Sequence, residues 1–377
     1  MTSRSRAPKR VHNRTLPEVE QAVIRIRKLI MSGDDPELRY ANRGADTIAF
    51  ELERGGIKPP SRATINRILM RNDLSRPRPK KKRKRKLPED YPWPKAEKPN
   101  QIHLFDFVSR VIVGGGRFYG CHLLDQARRW PYLDVIETKT AVLVSQFLIS
   151  AWQEIGLPVA LYMDNDVVWR GGSSGKRTLS SIVRLCLFFG IQAIFIPPYT
   201  PEANPIIESF NGVWDQNFWQ RTEFQNLNHV QSELPYFVQY CRYRRPLTAS
   251  DHQTADQLFP DFQPALLPVD FNLNLQDRLP ITVGELHFIR FVSRDGTLII
   301  LNEEWQLDPK LWSGKIIRAT VYTQQQRLTI FHQPNSTATP VIAASFDYPL
   351  KEKAAPLRPA FERKTIPLWL LPKCFDC

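Results

Sequence analysis

The chain has 377 residues, too long for one ordinary core, which predicts two to four domains. Hydrophobic residues make up 42% and charged residues 24%, a globular balance that excludes disordered and fibrous classes. No apolar run approaches the ~18 residues of a membrane helix, and no apolar signal core follows the basic start Met1-Thr-Ser-Arg-Ser-Arg, so the expected location is the cytoplasm.

The net charge of +14 is unevenly spread. Residues 1–86 hold 24 Lys+Arg against 9 Asp+Glu, whereas the remainder holds 28 against 29. Positive charge segregated in this way predicts a polyanionic partner, most simply nucleic acid, and thus a DNA-associated protein of the nucleoid. The five cysteines (Cys121, Cys186, Cys241, Cys374 and Cys377) are odd in number and scattered, against a disulfide framework. Cys374 and Cys377 form a lone C-x-x-C, which cannot complete a four-ligand zinc site and reads as a frayed tail.

In chain order, residues 1–16 are a basic arm. Residues 17–75 carry three helical patterns. Val19, Val23, Ile26 and Ile30 recur at helical spacing until Gly33-Asp-Asp-Pro36 stops them. Ala45–Arg54 forms a second helix that Gly55-Gly56 ends, and Ser61 caps a third, Arg62–Arg71. This is the helix-turn-helix plan. Ser61, Arg62, Thr64, Asn66 and Arg67 are expected to face a DNA groove, with Ala63, Ile65, Ile68 and Leu69 packing. Residues 76–98 are a basic, Pro-rich linker. Its run Lys80, Lys81, Lys82, Arg83, Lys84, Arg85, Lys86 cannot fold alone and suits phosphate tracking.

Residues 99–250 read as an α/β unit. Strands are expected at 101–109, 117–124, 131–137, 157–163 and 192–196, and helices at 139–155, at 179–190 and from Asn204-Pro205 onward. That order describes a mixed five-stranded sheet with helices on its faces. Residues 251–280 are a second linker. Short alternating runs within 281–335 predict a small β-barrel, and 336–377 is a patternless tail.

Three acids fall where such a sheet brings chemistry together. Asp106 lies mid-strand among apolar neighbours, where a charge is costly unless paired or metal-bound. Asp164 follows the apolar strand 157–163, at the kind of strand end where open sheets bind ligands. Glu208 lies one turn inside its helix, sharing a face with Asn204 and Asn211. Hard oxygen ligands suit Mg²⁺ or Mn²⁺, and two ions ~3.5–4 Å apart can clamp an in-line phosphoryl displacement. Asp166 is a rival for Asp164, and Glu202 for Glu208. Arg170, Lys176 and Arg177 are candidates for holding a DNA end. Trp214, Phe218 and Trp219, at helical spacing, read as core.

Three blocks carry a resemblance: Leu104-Phe-Asp106-Phe, Tyr162-Met-Asp164-Asn165, and Pro198-Tyr-Thr-Pro-Glu-Ala-Asn204-Pro-Ile-Ile-Glu208-Ser-Phe-Asn211. Over residues 100–250 they resemble the catalytic core of insertion-sequence transposases and retroviral integrases, and Tyr240-Cys-Arg-Tyr-Arg-Arg245-Pro246 resembles the stretch that follows. The resemblance implies an RNase H-like fold in a multidomain chain and metal-dependent DNA cleavage and strand transfer by Asp106, Asp164 and Glu208. It also implies a homo-oligomer on double-stranded DNA, with accessory transposition proteins as further partners. Two departures stand out. Asp164-Asn165-Asp166 replaces the usual Asp-Asn-Gly, and 43 residues separate Asp164 from Glu208, which is long for the family. Two alternatives stay open: an inactive DNA-binding protein derived from a transposase, and an RNase H-fold nuclease.

Overall fold

A computed structural model describes residues 15–75, 87–88, 91–170, 176–334 and 338–361. Three helices open it: α1 (Pro17–Ser32), α2 (Ala45–Arg54) and α3 (Arg62–Arg71). Gly33 ends α1 with φ of 73°, a left-handed cap that favours glycine. Ser61 caps α3, accepting from the Thr64 N–H at 3.2 Å. Ile65, Ile68 and Leu69 are buried as expected, but Ala63 is exposed rather than packed. It falls on the outer side of a short helix whose inward stripe is already filled.

Three strands follow as an antiparallel meander: β1 (Ile102–Ile112), β2 (Gly116–Asp125) and β3 (Pro131–Ile136). Next come α4 (Ala141–Ile155), β4 (Ala160–Met163), the short α5 (Val167–Arg170), α6 (Ser181–Phe188) and β5 (Gln192–Phe195). The strands β3-β2-β1-β4-β5 realise the expected mixed five-stranded arrangement, with β4 parallel to both β1 and β5. Then come α7 (Pro205–Asn217) and α8 (Leu227–Gln239). Helix α8 had no counterpart in the sequence reading, because Pro235 lies inside it and interrupts its pattern. It continues into a wide π turn, Tyr240–Arg244.

The C-terminal part corrects the expectation of a separate barrel. After α9 (Ala255–Leu258) come β6 (Glu285–Phe291), β7 (Thr297–Ile300), β8 (Glu303–Gln306), α10 (Pro309–Trp312), β9 (Ile316–Tyr322), β10 (Arg327–His332) and β11 (Val341–Asp347). β6 pairs in parallel with β5, so the described pairings form one open nine-stranded sheet, β11-β10-β9-β6-β5-β4-β1-β2-β3, with β7–β8 a separate hairpin. The open edge of β5 and the apolar alternation of β6 satisfy each other's backbone groups, which a sequence pattern cannot reveal. β11 also places a strand inside the segment read as a patternless tail. Cys374 and Cys377 lie outside the described residues.

Two apolar layers flank the sheet. On one face α4 and α6 pack Phe147, Trp152, Ile182 and Phe189 against Phe105 and Phe195, a layer that continues into the C-terminal strands. On the other, α7 and α8 pack Ile207, Phe210, Trp214 and Phe237 against Leu104 and Tyr162, and this layer runs unbroken into α1–α3. Trp214 and Phe218 are fully buried, in keeping with their reading as core.

Candidate active site

Asp106 lies midway along β1. Leu104 and Val108, two residues to either side, are buried in the layer beneath α7, and strand alternation puts Asp106 on that same face. β1 and β4 run parallel with Leu104 opposite Tyr162, so extending the register by two residues sets Asp106 level with Asp164, just past β4. Ile207, Phe210 and Trp214 seat α7 on this face, with Glu208 in its first turn. All three carboxylates line one cavity of about 500 Å³, together with Asn165, Asp166, Asn204, Arg290 and the loop Ile196–Pro201.

The electrostatics of this cavity are strained. Burial, and then the charges of Asp164 and Glu208, push the Asp106 carboxyl up to about 7. Burial also raises Asp164, with Asp166 adding to the effect and the Asp166 N–H and Lys139 opposing it. Among the described residues, no three His, Cys, Asp or Glu side chains converge closely enough to hold a metal ion. Like charges facing one cavity repel, and a cation between them would draw them in. The three carboxylates are hard oxygen donors of the kind a divalent ion takes. Asn204 also lines the cavity, and its buried Oδ1 has no hydrogen-bond partner among the described residues. Asn204 stands at the N-cap position of α7, yet its side chain makes no cap bond.

Asp106 is held in place from behind. Asn211 Nδ2 donates to its Oδ2 at 2.6 Å, and the Phe107 N–H donates to its Oδ1 at 2.9 Å. His122, directly opposite Asp106 in the β1–β2 ladder, contacts Asn211 Oδ1 through Nδ1 at 2.7 Å. An amide oxygen only accepts, so His122 carries its proton on Nδ1. Burial depresses its pKa to about 4, so the ring is neutral at pH 7. The rival acids are differently placed. Asp166 Oδ1 accepts from the Val168 N–H at the start of α5 and Oδ2 pairs with Lys139, although Asp166 also lines the cavity. Glu202 lies in the turn before α7 and is not among the cavity-lining residues.

The other sequence candidates are spread out. Arg170 closes α5, and its side chain lies outside the described residues. Lys176 is exposed. Arg177 Nε donates to both Glu303 oxygens at 3.1 and 3.2 Å, tying the chain after residue 175 to β8. On α3, Arg62 pairs with Asp46, Thr64 and Arg67 hydrogen-bond each other, and Asn66 is exposed. Lys80–Lys86 lie outside the described residues. The sequence reading missed His122, Lys139 and Arg290. The hairpin turn at Gly114–Gly116 fixes the β1–β2 register and could have pointed to His122. Arg290 depends on the β5–β6 pairing and left no local signal.

Residues 189–254, from the end of α6 through α7 and α8, match the family model described as integrase core domain. The match supports the transposase and retroviral-integrase family over those residues. The match supports a polynucleotidyl transferase of the transposase or integrase type. Solved structures similar to the chain include the simian T-cell lymphotropic virus intasome in complex with PP2A regulatory subunit B56 gamma. That match has 14% identity and a TM-score of 0.39, covering 88% of this chain and 99% of that one. The HTLV-2 integrase catalytic core domain in complex with magnesium is similar at 12% identity and a TM-score of 0.34, covering 44% and 99%. The BIV integrase catalytic core domain is similar at 14% identity and a TM-score of 0.33, covering 43% and 95%. No helix among the described residues is long and apolar enough to cross a membrane.

Proposed function

We propose that this protein is a DNA transposase that binds the ends of a mobile element, cleaves there and joins the freed ends to target DNA. The observation that carries the reading is the one cavity lined by Asp106, Asp164 and Glu208, with the Asp106 carboxyl raised by burial and then by its two neighbours, in a chain whose residues 189–254 match an integrase core domain. Asp106, Asp164 and Glu208 would hold two Mg²⁺ or Mn²⁺ ions in this cavity. Bound there, the ions supply neutralisation of the phosphodiester's charge and activation of the attacking oxygen.

The chain's own residues perform the rest. Asn211 and the Phe107 N–H fix the rotamer of Asp106, and neutral His122 fixes Asn211. In cleavage, a water oxygen attacks the phosphorus in line, the bond to the 3′-oxygen breaks, and that oxygen leaves as a hydroxyl. In joining, the same 3′-hydroxyl attacks a target phosphodiester and the target's own 3′-oxygen leaves. Both displacements have the same geometry, so one cavity serves both. Residues 17–75 would recognise element ends through Ser61, Arg62, Thr64, Asn66 and Arg67, and Lys80–Lys86 would track phosphates between the two DNA-bound parts. Two ends joined together imply at least two copies of the chain on double-stranded DNA.

The test uses the purified full chain, labelled element ends, a target plasmid and Mg²⁺, with a chelated control. Joined products that vanish with EDTA are expected. End binding without cleavage would instead support an inactive DNA-binding protein, and cleavage without joining a nuclease.

A further inference from the structure

Arg290 belongs to β6, in the C-terminal strands, yet it lines the cavity of the three acids. It is 6% exposed. Its guanidinium donates to Asn165 Oδ1 at 2.7 Å and to the carbonyls of Ile196 at 2.9 Å, Ile289 at 2.8 Å and Ile299 at 3.1 Å. Asn165 Nδ2 closes the ring by donating to the same Ile196 carbonyl. One planar fork therefore spans three segments: the residue after Asp164, the carbonyl that begins the loop into α7, and the β7 strand.

The hairpin beyond β7 lines the same wall. Leu301 and Asn302 turn it with φ of 48° and 65°, both left-handed, and both residues line the cavity. Leucine is rarely found in that region, so the turn is held by its surroundings rather than by preference. Glu303, the next residue, is buried and receives Arg177.

We propose that Arg290 is a positioning residue for the catalytic site: it sets the direction of the Asp164–Asn165 turn and of the loop leading to Glu208, so the C-terminal strands form one wall of the active site. The chemistry rests on the function proposed above, but the geometry stands without it. A guanidinium buried among backbone carbonyls is a costly way to join strands, since an apolar side chain of similar volume does so at lower cost. Its planar donors do what an apolar group cannot, fixing three backbone directions at once.

The experiment compares the full wild-type chain with Arg290→Lys, Asn165→Ala and the double variant. Lysine keeps the charge but, as a compact ammonium, cannot bridge the three segments. Asn165→Ala removes the acceptor without stranding a buried charge, so it remains informative if Arg290→Lys fails to fold. Three quantities are read: Mn²⁺ affinity of the DNA-free protein by calorimetry, single-turnover joining rate per folded molecule, and the DNA concentration for half-maximal rate. Each single variant is expected to weaken Mn²⁺ binding and slow joining by about tenfold or more, as loss of a group that orients a metal ligand does. The DNA requirement should move less than about twofold, and the double variant should be no worse than the worse single, because both act through one contact. Unchanged Mn²⁺ affinity and rate in Asn165→Ala, or losses that multiply in the double, would overturn the proposal. A wild type that binds Mn²⁺ and joins no DNA overturns the proposed function instead, and Arg290 is then judged on Mn²⁺ affinity alone.

Discussion

At the seam between α1–α3 and the core, the acids Glu37, Glu51 and Glu233 each meet an arginine. Arg244, 9% exposed at the end of the π turn, donates to Glu51 at 3.0 and 2.7 Å and also pairs with Glu37. Glu233 accepts from Arg39 and from the Tyr40 hydroxyl, and the Asn42 N–H donates to the Tyr240 hydroxyl at 2.8 Å. In the candidate catalytic cavity the balance differs: three acids share one space, Asp106 is raised to about 7, and Asn204 Oδ1 is buried without a hydrogen-bond partner among the described residues. The seam uses ion pairs to fix how the helical part sits on the core. The cavity gathers three acids whose like charges repel, which lowers stability and creates a place for cations.

The largest effect should come from removing that charge. Asp106→Asn, Asp164→Asn and Glu208→Gln are each expected to reduce joining by at least about 10³-fold while leaving end binding intact. If the cavity is strained as described, Asp106→Asn should also melt higher than wild type at pH 8 in the absence of metal, since it deletes a buried, repelled charge. Joining by any of the three variants at wild-type rates breaks the comparison. So does an Asp106→Asn protein that melts lower at pH 8.

The seam should behave in the opposite way. Arg244→Ala leaves Glu51, half-buried, with only Arg54 at 3.9 Å, and breaking a buried pair costs about 3–5 kcal/mol, the upper bound for this loss. Denaturant unfolding would read this loss, while joining per folded molecule should be nearly unchanged. A variant that keeps its stability but loses joining would move the seam into the catalytic machinery.

The pH dependence separates the two regions further. The Asp106 carboxyl is raised in the folded chain from an ordinary value near 4 to about 7. Between those values the folded state holds the proton that the unfolded chain has released. Asp106 therefore contributes stability below about pH 4 that is lost as pH rises through about 7. The melting advantage of Asp106→Asn should accordingly be absent near pH 4 and grow toward pH 8. Cation binding needs the ionised form, so apparent Mn²⁺ affinity should fall about tenfold per unit below pH 7 if one proton competes. Melting curves and calorimetry across pH 4–8 check both, and a flat difference between wild type and variant would remove Asp106 as the strained group.

Much of this was legible in the sequence because it is local. The β1 alternation around Asp106, the apolar run ending at Asp164 and the Asn204-Pro205 start of α7 each announce themselves within a few residues, and the fold brings all three to one cavity. What was hidden depends on partners far along the chain. Arg290 reads as one more charge in an alternating strand until β6 pairs with β5. Ala63 looks like a packing residue until the neighbouring helices leave its side open. The barrel expectation failed for the same reason, since periodicity shows that strands exist but not which edge they join.

The smallest effect lies on the far side of the seam, where α3 presents the face read as DNA-binding. Ser61 Oγ accepts from the Thr64 N–H, so Ser61→Ala should cost about 1 kcal/mol by denaturant unfolding. Ser61→Asp should restore the cap, because aspartate is as good a capping residue as serine. It also places a negative charge at the N-terminus of α3, where the helix dipole favours it in the free protein but a DNA phosphate would be repelled. Stability and end binding should therefore part company: Ser61→Asp as stable as wild type yet weaker on DNA, Ser61→Ala less stable yet close to wild type in affinity. Fluorescence anisotropy with labelled ends at fixed salt reads the second quantity. If Ser61→Asp binds ends as tightly as wild type, the N-terminus of α3 does not face phosphate, and the helical part is docked on the core for some purpose other than reading DNA through that face.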